Sequence, residues 1–456
     1  MSSTGDRKRA IFLEGSVLRH VLVMTATGSI GLMAVFVVDL LSLIYISWLG
    51  DHTLTAGVGF ATQLAFFFIS VQIGLSIAIG ALVSRAIGAG ERDSARRLAG
   101  SALLQVALVT GAISLIALPL IRPMLSLIGA KGATQDAAAL FLYITIPSNV
   151  LLALGMATSG ILRAAGDARR SMYVLLAGAV VTAALDPILI LYFRLDVAGA
   201  AWAVVTARAV YAGIGFWGAV HIHDLVGRPA MKTFMRDLTR LLAIALPVIA
   251  ANLAAPVSTT YALKVFADFG EPVVAAFAII DRIVPVAFGA TFAMSGAVGP
   301  VVGQNFGARR FDRVRDTLTA CYRIAIIYGL AMWGVLALLA PWIARAFGAT
   351  GETAELTIFF CHIGAGTWAF LGCLFAANAA FNNLGYPMLA MVFNWGRATL
   401  GTIPFVTLGA MWGGPKGGIL GMGVGAAVFG IAAIITSYVI AGRLAARAAV
   451  PEKQAT

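Results

Sequence analysis

Charge is scarce in this sequence. Only 11% of its 456 residues are Asp, Glu, Lys or Arg, against 60% hydrophobic, and the mean hydropathy is +0.92. A water-soluble domain carries about 25% charged and 45–50% apolar residues. A soluble globule is therefore excluded, and lipid is the expected solvent for most of the chain. Cysteine is nearly missing too. Cys321, Cys361 and Cys373 fall in apolar runs without metal-ligand spacing, which leaves them as small core residues rather than a disulfide framework or a zinc site. Catalytic signatures are also lacking. No zincin, Ser-His or phosphoryl-transfer motif occurs, so no enzyme is expected. The stretches "IGAGERDSAR" and "FGARRFDRVR" have no Gly-Lys-Ser/Thr and follow no strand, which excludes a phosphate loop. They read instead as tight turns leading into short amphipathic helices. The first 16 residues carry charge but no cleavage site behind a short apolar core, so the first hydrophobic segment is expected to remain as a helix.

What the sequence does have is long apolar runs. Helices are predicted near 17–48, 53–81, 95–120, 136–160, 171–193, 198–221, 239–266, 273–298, 316–340, 354–381, 388–411 and 418–442. Strand alternation is lacking, and lipid offers backbone groups no partners, so these runs are helices. The expected fold class is an all-α polytopic membrane protein with twelve transmembrane helices. The net charge of +12 reads as topology signalling rather than nucleic-acid binding. With the N-terminus inside, the inner segments hold 21 Lys and Arg, among them Arg7, Lys8, Arg9 and Lys453. The outer segments hold six: Arg122, Lys131, Arg194, Lys264, Arg345 and Lys416. That bias predicts both termini cytoplasmic, and the expected location of this multi-pass protein is a bacterial inner membrane.

The sequence also repeats itself. "GALVSRAIGAGERDSAR" from Gly80 aligns with "GPVVGQNFGARRFDRVR" from Gly299, an offset of 219, which also takes Gly129 to Gly348 and Gly166 to Gly385. We read a duplication of a six-helix unit. An even number of helices makes the two copies parallel, related by pseudo-two-fold symmetry along the membrane normal, as in one class of secondary transporters. The expected organisation is a tail (1–16), an N-terminal lobe (17–221), a cytoplasmic linker (222–238), a C-terminal lobe (239–442) and a second tail (443–456).

Four stretches then carry a resemblance: "VGQNFGARR" (Val302 to Arg310), "ILRAAGDARRSM" (Ile161 to Met172), "LDPILI" with "VAGAAWA" (Leu185 to Ala203) and "WLGDHTLTAG" (Trp48 to Gly57). In order and spacing they resemble the multidrug and toxic compound extrusion family, MATE, over nearly the whole chain. The resemblance implies twelve helices in two six-helix lobes, and export of organic cations or other amphiphiles. It also implies coupling to inward flow of protons or sodium ions. The NorM-like branch has an acidic residue after a Leu-Pro in the seventh helix, where this chain reads "ALPVIAANLAAPVSTT". The DinF-like branch uses an Asp in the first helix and an Asp-Pro in the fifth, matched here by Asp39 and Asp186. Two positions depart from that branch. Thr182 stands where Asn is common, and Val204 where Thr is common, with Thr206 two residues later.

These residues define the expected site. A charged Asp at a helix centre costs about 2.5–3.5 kcal/mol on insertion scales, so it faces a cavity or a partner. Asp39 in "VVDLLSLIYISWLG", with Trp48 near the outer interface, and Asp186 are the expected ion-coupling pair. Desolvation and a neighbouring like charge both favour the protonated form of a carboxyl. Pro187 supplies a helix kink that protonation can bend. The competing reading pairs Asp39 structurally with Gln63 or Ser42. Substrate or relay candidates are Thr182, Thr206, Gln63, Ser159, Asn149, Asp281 and Asn378, with His362 and Asn252 as weaker ones. Each polar residue alone is more often a helix–helix hydrogen bond. Asp281 reads either as an ion pair with Arg397 or another basic group, or as a second cation-binding carboxylate. Phe66, Phe67, Phe68 and several Met residues suit an adaptable apolar cavity.

The functional expectation is a monomeric antiporter exporting amphiphilic, cationic organic compounds by rocking of the two lobes, coupled to protons with sodium as the other candidate ion. No cofactor beyond the coupling ion is expected. The alternative is a lipid-linked oligosaccharide flippase, disfavoured because the mid-helix basic residues are few: Arg208, Arg282, Arg323 and Arg397.

Overall fold

The computed structural model describes residues 10–47, 51–229 and 231–449. Arg7, Lys8, Arg9, Trp48 and Lys453 lie outside the described residues. The helices in chain order are α1 (Val17–Ser47), α2 (His52–Gly88), α3 (Arg92–Ala117), α4 (Ile121–Leu127), α5 (Gly132–Thr145), α6 (Asn149–Ala164), α7 (Ala168–Asp186) and α8 (Asp196–Trp217). There follow α9 (Phe234–Asn252), α10 (Ala254–Ala267), α11 (Glu271–Ala287), α12 (Gly289–Gly307), α13 (Phe311–Ala346), α14 (Gly351–His362), α15 (Trp368–Leu384), α16 (Pro387–Ala398) and α17 (Ile403–Ala449).

The offset of 219 is written into the helix starts. It takes the first residue of α2 to that of α11, of α3 to α13, of α5 to α14 and of α7 to α16. The left-handed turn residues obey it as well: Gly90 and Arg309, Gly129 and Gly348, Gly132 and Gly351, Gly166 and Gly385 all have positive φ. The same turn chemistry therefore stops and restarts the chain at the same places in both halves.

Ten helical stretches are long and apolar enough to cross a membrane, and the pair α11 and α12, bent by 45°, makes another crossing. The stretch Pro387–Ala449 has 63 residues, about 95 Å at 1.5 Å per residue, against a hydrocarbon core of about 30 Å. It contains non-helical Gly413 and Gly414. The next residue, Pro415, is the 219-offset counterpart of Asp196, where α8 begins. Pro387–Ala449 is thus two crossings, and the described residues make twelve, as the sequence predicts. One expectation is corrected. The basic turns do not lead into short amphipathic helices, because α3 and α13 continue from their charged first turns directly into the apolar span.

The chain forms two compact units, residues 10–11 with 30–249 and residues 12–29 with 250–449. Each has its own core, rich in small side chains such as Ala78, Ala99 and Ala157 in the first and Ala376, Ala377 and Ala380 in the second. Lipid tails are as apolar as the helices, so close backbone approach and interhelical hydrogen bonds do the packing. An example is Tyr322 with Ser437 at 2.6 Å. All three cysteines are free and buried.

The basic loop after α8 is tied to the first unit by polar contacts. Gly227 N donates to Arg96 O at 2.9 Å, Arg96 pairs with Asp224 at 2.8 Å, and Arg97 pairs with Asp237 at 2.6 Å. His223 Nε2 donates to Asp167 Oδ2 at 2.7 Å, and Arg92 donates to the His223 carbonyl. Asp167 also caps α7 through Arg170 N at 3.0 Å and pairs with the Arg170 side chain. Burial pushes its carboxyl pKa up, but the hydrogen bonds from His223 and Arg170 outweigh burial and hold it at about 2. A carboxyl depressed in the folded state stabilises above its unfolded pKa, about 3.9, and loses that contribution as pH falls through the folded value. Asp167→Asn is therefore expected to destabilise the protein by about 2 kcal/mol at pH 7, with the deficit shrinking between about pH 4 and pH 2. Thermal unfolding in detergent across that range checks it, and a deficit that grows on acidification would contradict it.

Candidate functional site: a carboxylate pair at a helix break

Asp39 and Ser42 are three residues apart on α1, which puts them on one helix face. The Ser42 hydroxyl donates to Asp186 Oδ2. Asp186, 1% exposed, is the last residue of α7. Its Oδ1 is buried without a hydrogen-bond partner among the described residues. Asp39 is exposed, has no hydrogen bond among the described residues, and lies close enough to Asp186 for their charges to interact. The structure thus brings the two expected carboxylates together and gives Ser42 to Asp186 rather than to Asp39.

The backbone at this point departs from an α-helix. Pro187–Tyr192 is a π-helix, with Phe193 N donating to Ile188 O at 2.9 Å. Proline has no N–H to continue the α ladder, and its ring clashes with the preceding turn. Widening the helix accommodates it. The widened turn is held by Ile190, which packs with Ile46 of α1, Val58 of α2 and Val197 and Ala200 of α8. At Gly199 a Cβ would come within 2.8 Å of the Leu189 backbone, so α8 meets the π turn where only glycine fits.

The other candidates separate into three groups. Thr182 and Thr206 donate to carbonyls of their own helices, Gly178 O at 3.1 Å and Trp202 O at 2.9 Å, and Gln63 is exposed. Ser159 and Asn149 serve half-buried arginines. Arg163 donates to Ser159 (2.9 Å) and Ser171 (3.0 Å). Arg208 donates to Thr145 O (2.7 Å), Ser148 Oγ (2.8 Å) and Asn149 Oδ1 (3.0 Å). In the second unit, Asn378 is buried with Oδ1 unpartnered among the described residues. Asp281 is exposed and makes no ion pair among them. Phe66 and Phe67 are exposed and Phe68 is buried. His362 is exposed, with Nε2 3.1 Å from Ala337 O.

Sequence reasoning missed that Arg397, offered as a partner for Asp281, lines a cavity of about 60 Å³ in the second unit. Its Nε is buried without a partner. The available signal was a basic residue inside an apolar run with no acidic residue at helical spacing.

A family model described as MatE matches residues 29–188 and 247–408. The chain is 26% identical over 429 residues to a protein of Shewanella oneidensis named FAD transporter, covering 92% of this chain and 94% of that one. It is 22% identical over 453 residues to the multidrug export protein MepA of Staphylococcus aureus, covering 97% and 95%. The structure of the Vibrio cholerae MATE transporter VcmN in the bent form matches with a TM-score of 0.89 and 25% identity, over 94% of this chain and 98% of that one. With the family model spanning most of both halves, the chain belongs to the MatE family of membrane transporters.

Proposed function

We propose that this transporter is a secondary active antiporter that exports amphiphilic organic compounds across the bacterial inner membrane while protons flow inward through Asp39 and Asp186. The observation that carries the reading is the buried Asp186 carboxylate, with one oxygen bonded by Ser42 and the other unpartnered. An ionisable group inside a membrane span marks an ion path by default, and the open oxygen is where a proton is held. Pro187 makes the next turn a π-helix, a backbone with fewer α hydrogen bonds to lose when the local charge changes. We read the change of charge at Asp186 as setting the bend of the fifth crossing, and alternating access of the two halves as the transport cycle. On the same two carboxylates we read the chain as nearer the DinF-like branch; on the placement of Lys and Arg we read both termini as cytoplasmic, and the monomer as the working unit. Sodium is the competing ion. Since the Shewanella relative is named an FAD transporter, flavin nucleotides join drug-like amphiphiles among the cargoes to assay.

Reconstitution in liposomes with separately imposed proton and sodium gradients tests this. Asp39→Asn and Asp186→Asn are each expected to reduce proton-driven efflux by about tenfold or more, the order of one lost charged interaction. Ser42→Ala should have a smaller effect. Full proton-driven efflux in both Asn variants removes the pair from coupling, and efflux driven by sodium alone replaces the ion. Thr182→Val and Thr206→Val, whose hydroxyls serve their own helices, are expected to leave the same rates within about twofold, as substitutions away from key features do. A loss as large as that of Asp186→Asn restores them to the relay.

A further inference from the structure

We propose that Arg397 anchors an organic anion in the second unit, and that the cargo of this transporter carries a carboxylate or phosphate group on an aromatic body. The proposal deepens the export reading by naming its substrate class, but the site is testable as a binding site with no gradient present.

Arg397 stands in the last turn of α16 and lines the cavity of about 60 Å³ together with Phe277, Phe360, Trp368, Ser258 and Thr402. No lining residue is acidic. Its Nε is buried and unpartnered, and no ion pair or side-chain hydrogen bond of its guanidinium occurs among the described residues. This is unlike Arg163 and Arg208 of the first unit, which are half-buried as Arg397 is. Arg208 is met by three oxygens and Arg163 by two, so the fold does satisfy guanidinium groups elsewhere. An uncompensated buried charge is costly, and a guanidinium fork suits a carboxylate or phosphate taken bidentately.

The surrounding groups select the same chemistry. The hydroxyls of Ser258, Thr367 and Thr402 donate hydrogen bonds to backbone carbonyls, Ala255 O, Gly364 O and Arg397 O, at 2.7 to 2.9 Å. The guanidinium is therefore the charged donor facing the cavity, and a cationic group there would meet like charge. The backbone behind the anchor is also closely packed. A Cβ at Gly401 would come within 2.7 Å of Arg397 O, and one at Gly425 within 1.5 Å of Gly401 O. Backbone thus packs on backbone directly behind Arg397. The aromatic wall, where Trp368 stacks on Phe288 at 5.8 Å, suits a flat ring system. The cavity's volume takes an anionic group and a few waters. A whole amphiphile, needing roughly 300 Å³ or more, enters as the walls part.

The duplication sharpens the point. The 219-offset counterpart of Asp39 is Ser258, which lines this cavity, and that of Arg397 is Gly178. One half has a carboxylate where the other has a hydroxyl and a nearby guanidinium. The expectation of a cationic cargo came from the family resemblance, and the paired carboxylates Asp39 and Asp186 lie in the first unit.

The test uses the purified full chain in detergent, with riboflavin 5′-phosphate and riboflavin as fluorescent probes of identical ring system. The wild type is expected to bind the phosphate ester at least about tenfold more tightly than riboflavin, the order of one charge-assisted hydrogen-bond pair. Arg397→Gln should abolish that preference, while Arg397→Lys should keep part of it. Equal affinities for the two probes in the wild type overturn the proposal, and this arm needs no variant to fold. A preference that survives in a folded Arg397→Gln protein, verified by its melting temperature, also overturns it. Competition with farnesyl pyrophosphate separates the sources of the anion. Displacement at concentrations well below those of the flavin supports the site with a lipid-linked phosphate as its ligand, and displacement only at higher ones supports it with a soluble ligand. Failure of proton-driven efflux alongside retained binding would count against the antiport reading and leave the anion site standing.

Discussion

The backbone of a membrane-crossing helix has to satisfy its own hydrogen bonds, because lipid offers none. Pro187 breaks that rule in the fifth crossing, and the local architecture follows from it. The helix widens to a π turn over Pro187–Tyr192, Gly199 lets α8 close against the widened backbone, and Ile190 fills the space beneath with side chains from four other helices. Asp186 is placed where this break begins. Its carboxylate thus sits against a backbone that is already short of α hydrogen bonds, and Ser42 of α1 reaches it there.

The duplication shows how much of this is scaffold and how much is site. Helix starts and left-handed turns repeat at one spacing through both halves, so backbone geometry has been kept where it punctuates the crossings. The chemistry has not been kept. The counterpart of Asp186 is Phe405, and that of Pro187 is Val406, so the second half has neither the carboxylate nor the break at that place. Conversely, the second half has its own break at Gly413 and Gly414 and a guanidinium opposite a glycine position of the first. Two copies of one fold have taken different functional groups.

Much of this was legible in the sequence, for identifiable reasons. The offset was readable because glycines that must be left-handed, such as Gly166 and Gly385, tolerate few replacements and so survive divergence. The twelve crossings were readable from apolar length. Asp39 and Asp186 stood out because charge is rare in such runs. Side-chain pairing was not legible. Whether Ser42 serves Asp39 or Asp186 depends on the rotation of α1 against α7, which apolar periodicity does not encode in a helix that is hydrophobic all round. The basic first turns of α3 and α13 misled because an amphipathic start looks the same whether the helix stops or runs on into lipid. The surroundings of Arg397 were not legible for a related reason: besides its chain neighbours α15 and α17, its cavity is lined from α10, α11 and α14, which only tertiary packing brings there.

The two charged sites together constrain how coupling can work. A cationic cargo bound beside Asp39 and Asp186 would expel protons by direct repulsion, and no conformational change would be needed for the two ligands to exclude each other. An anion held at Arg397 has the opposite sign, and near a carboxylate it would favour proton binding instead. Mutual exclusion must then come from shape: the proton and the anion have to favour different conformations, each by its own differential affinity. A device of that kind needs an element whose geometry depends on a single charge. In the proposed cycle that element is the Asp186–Pro187 step, with a buried carboxylate on one side and a π turn on the other, and it lies in the unit that does not hold Arg397.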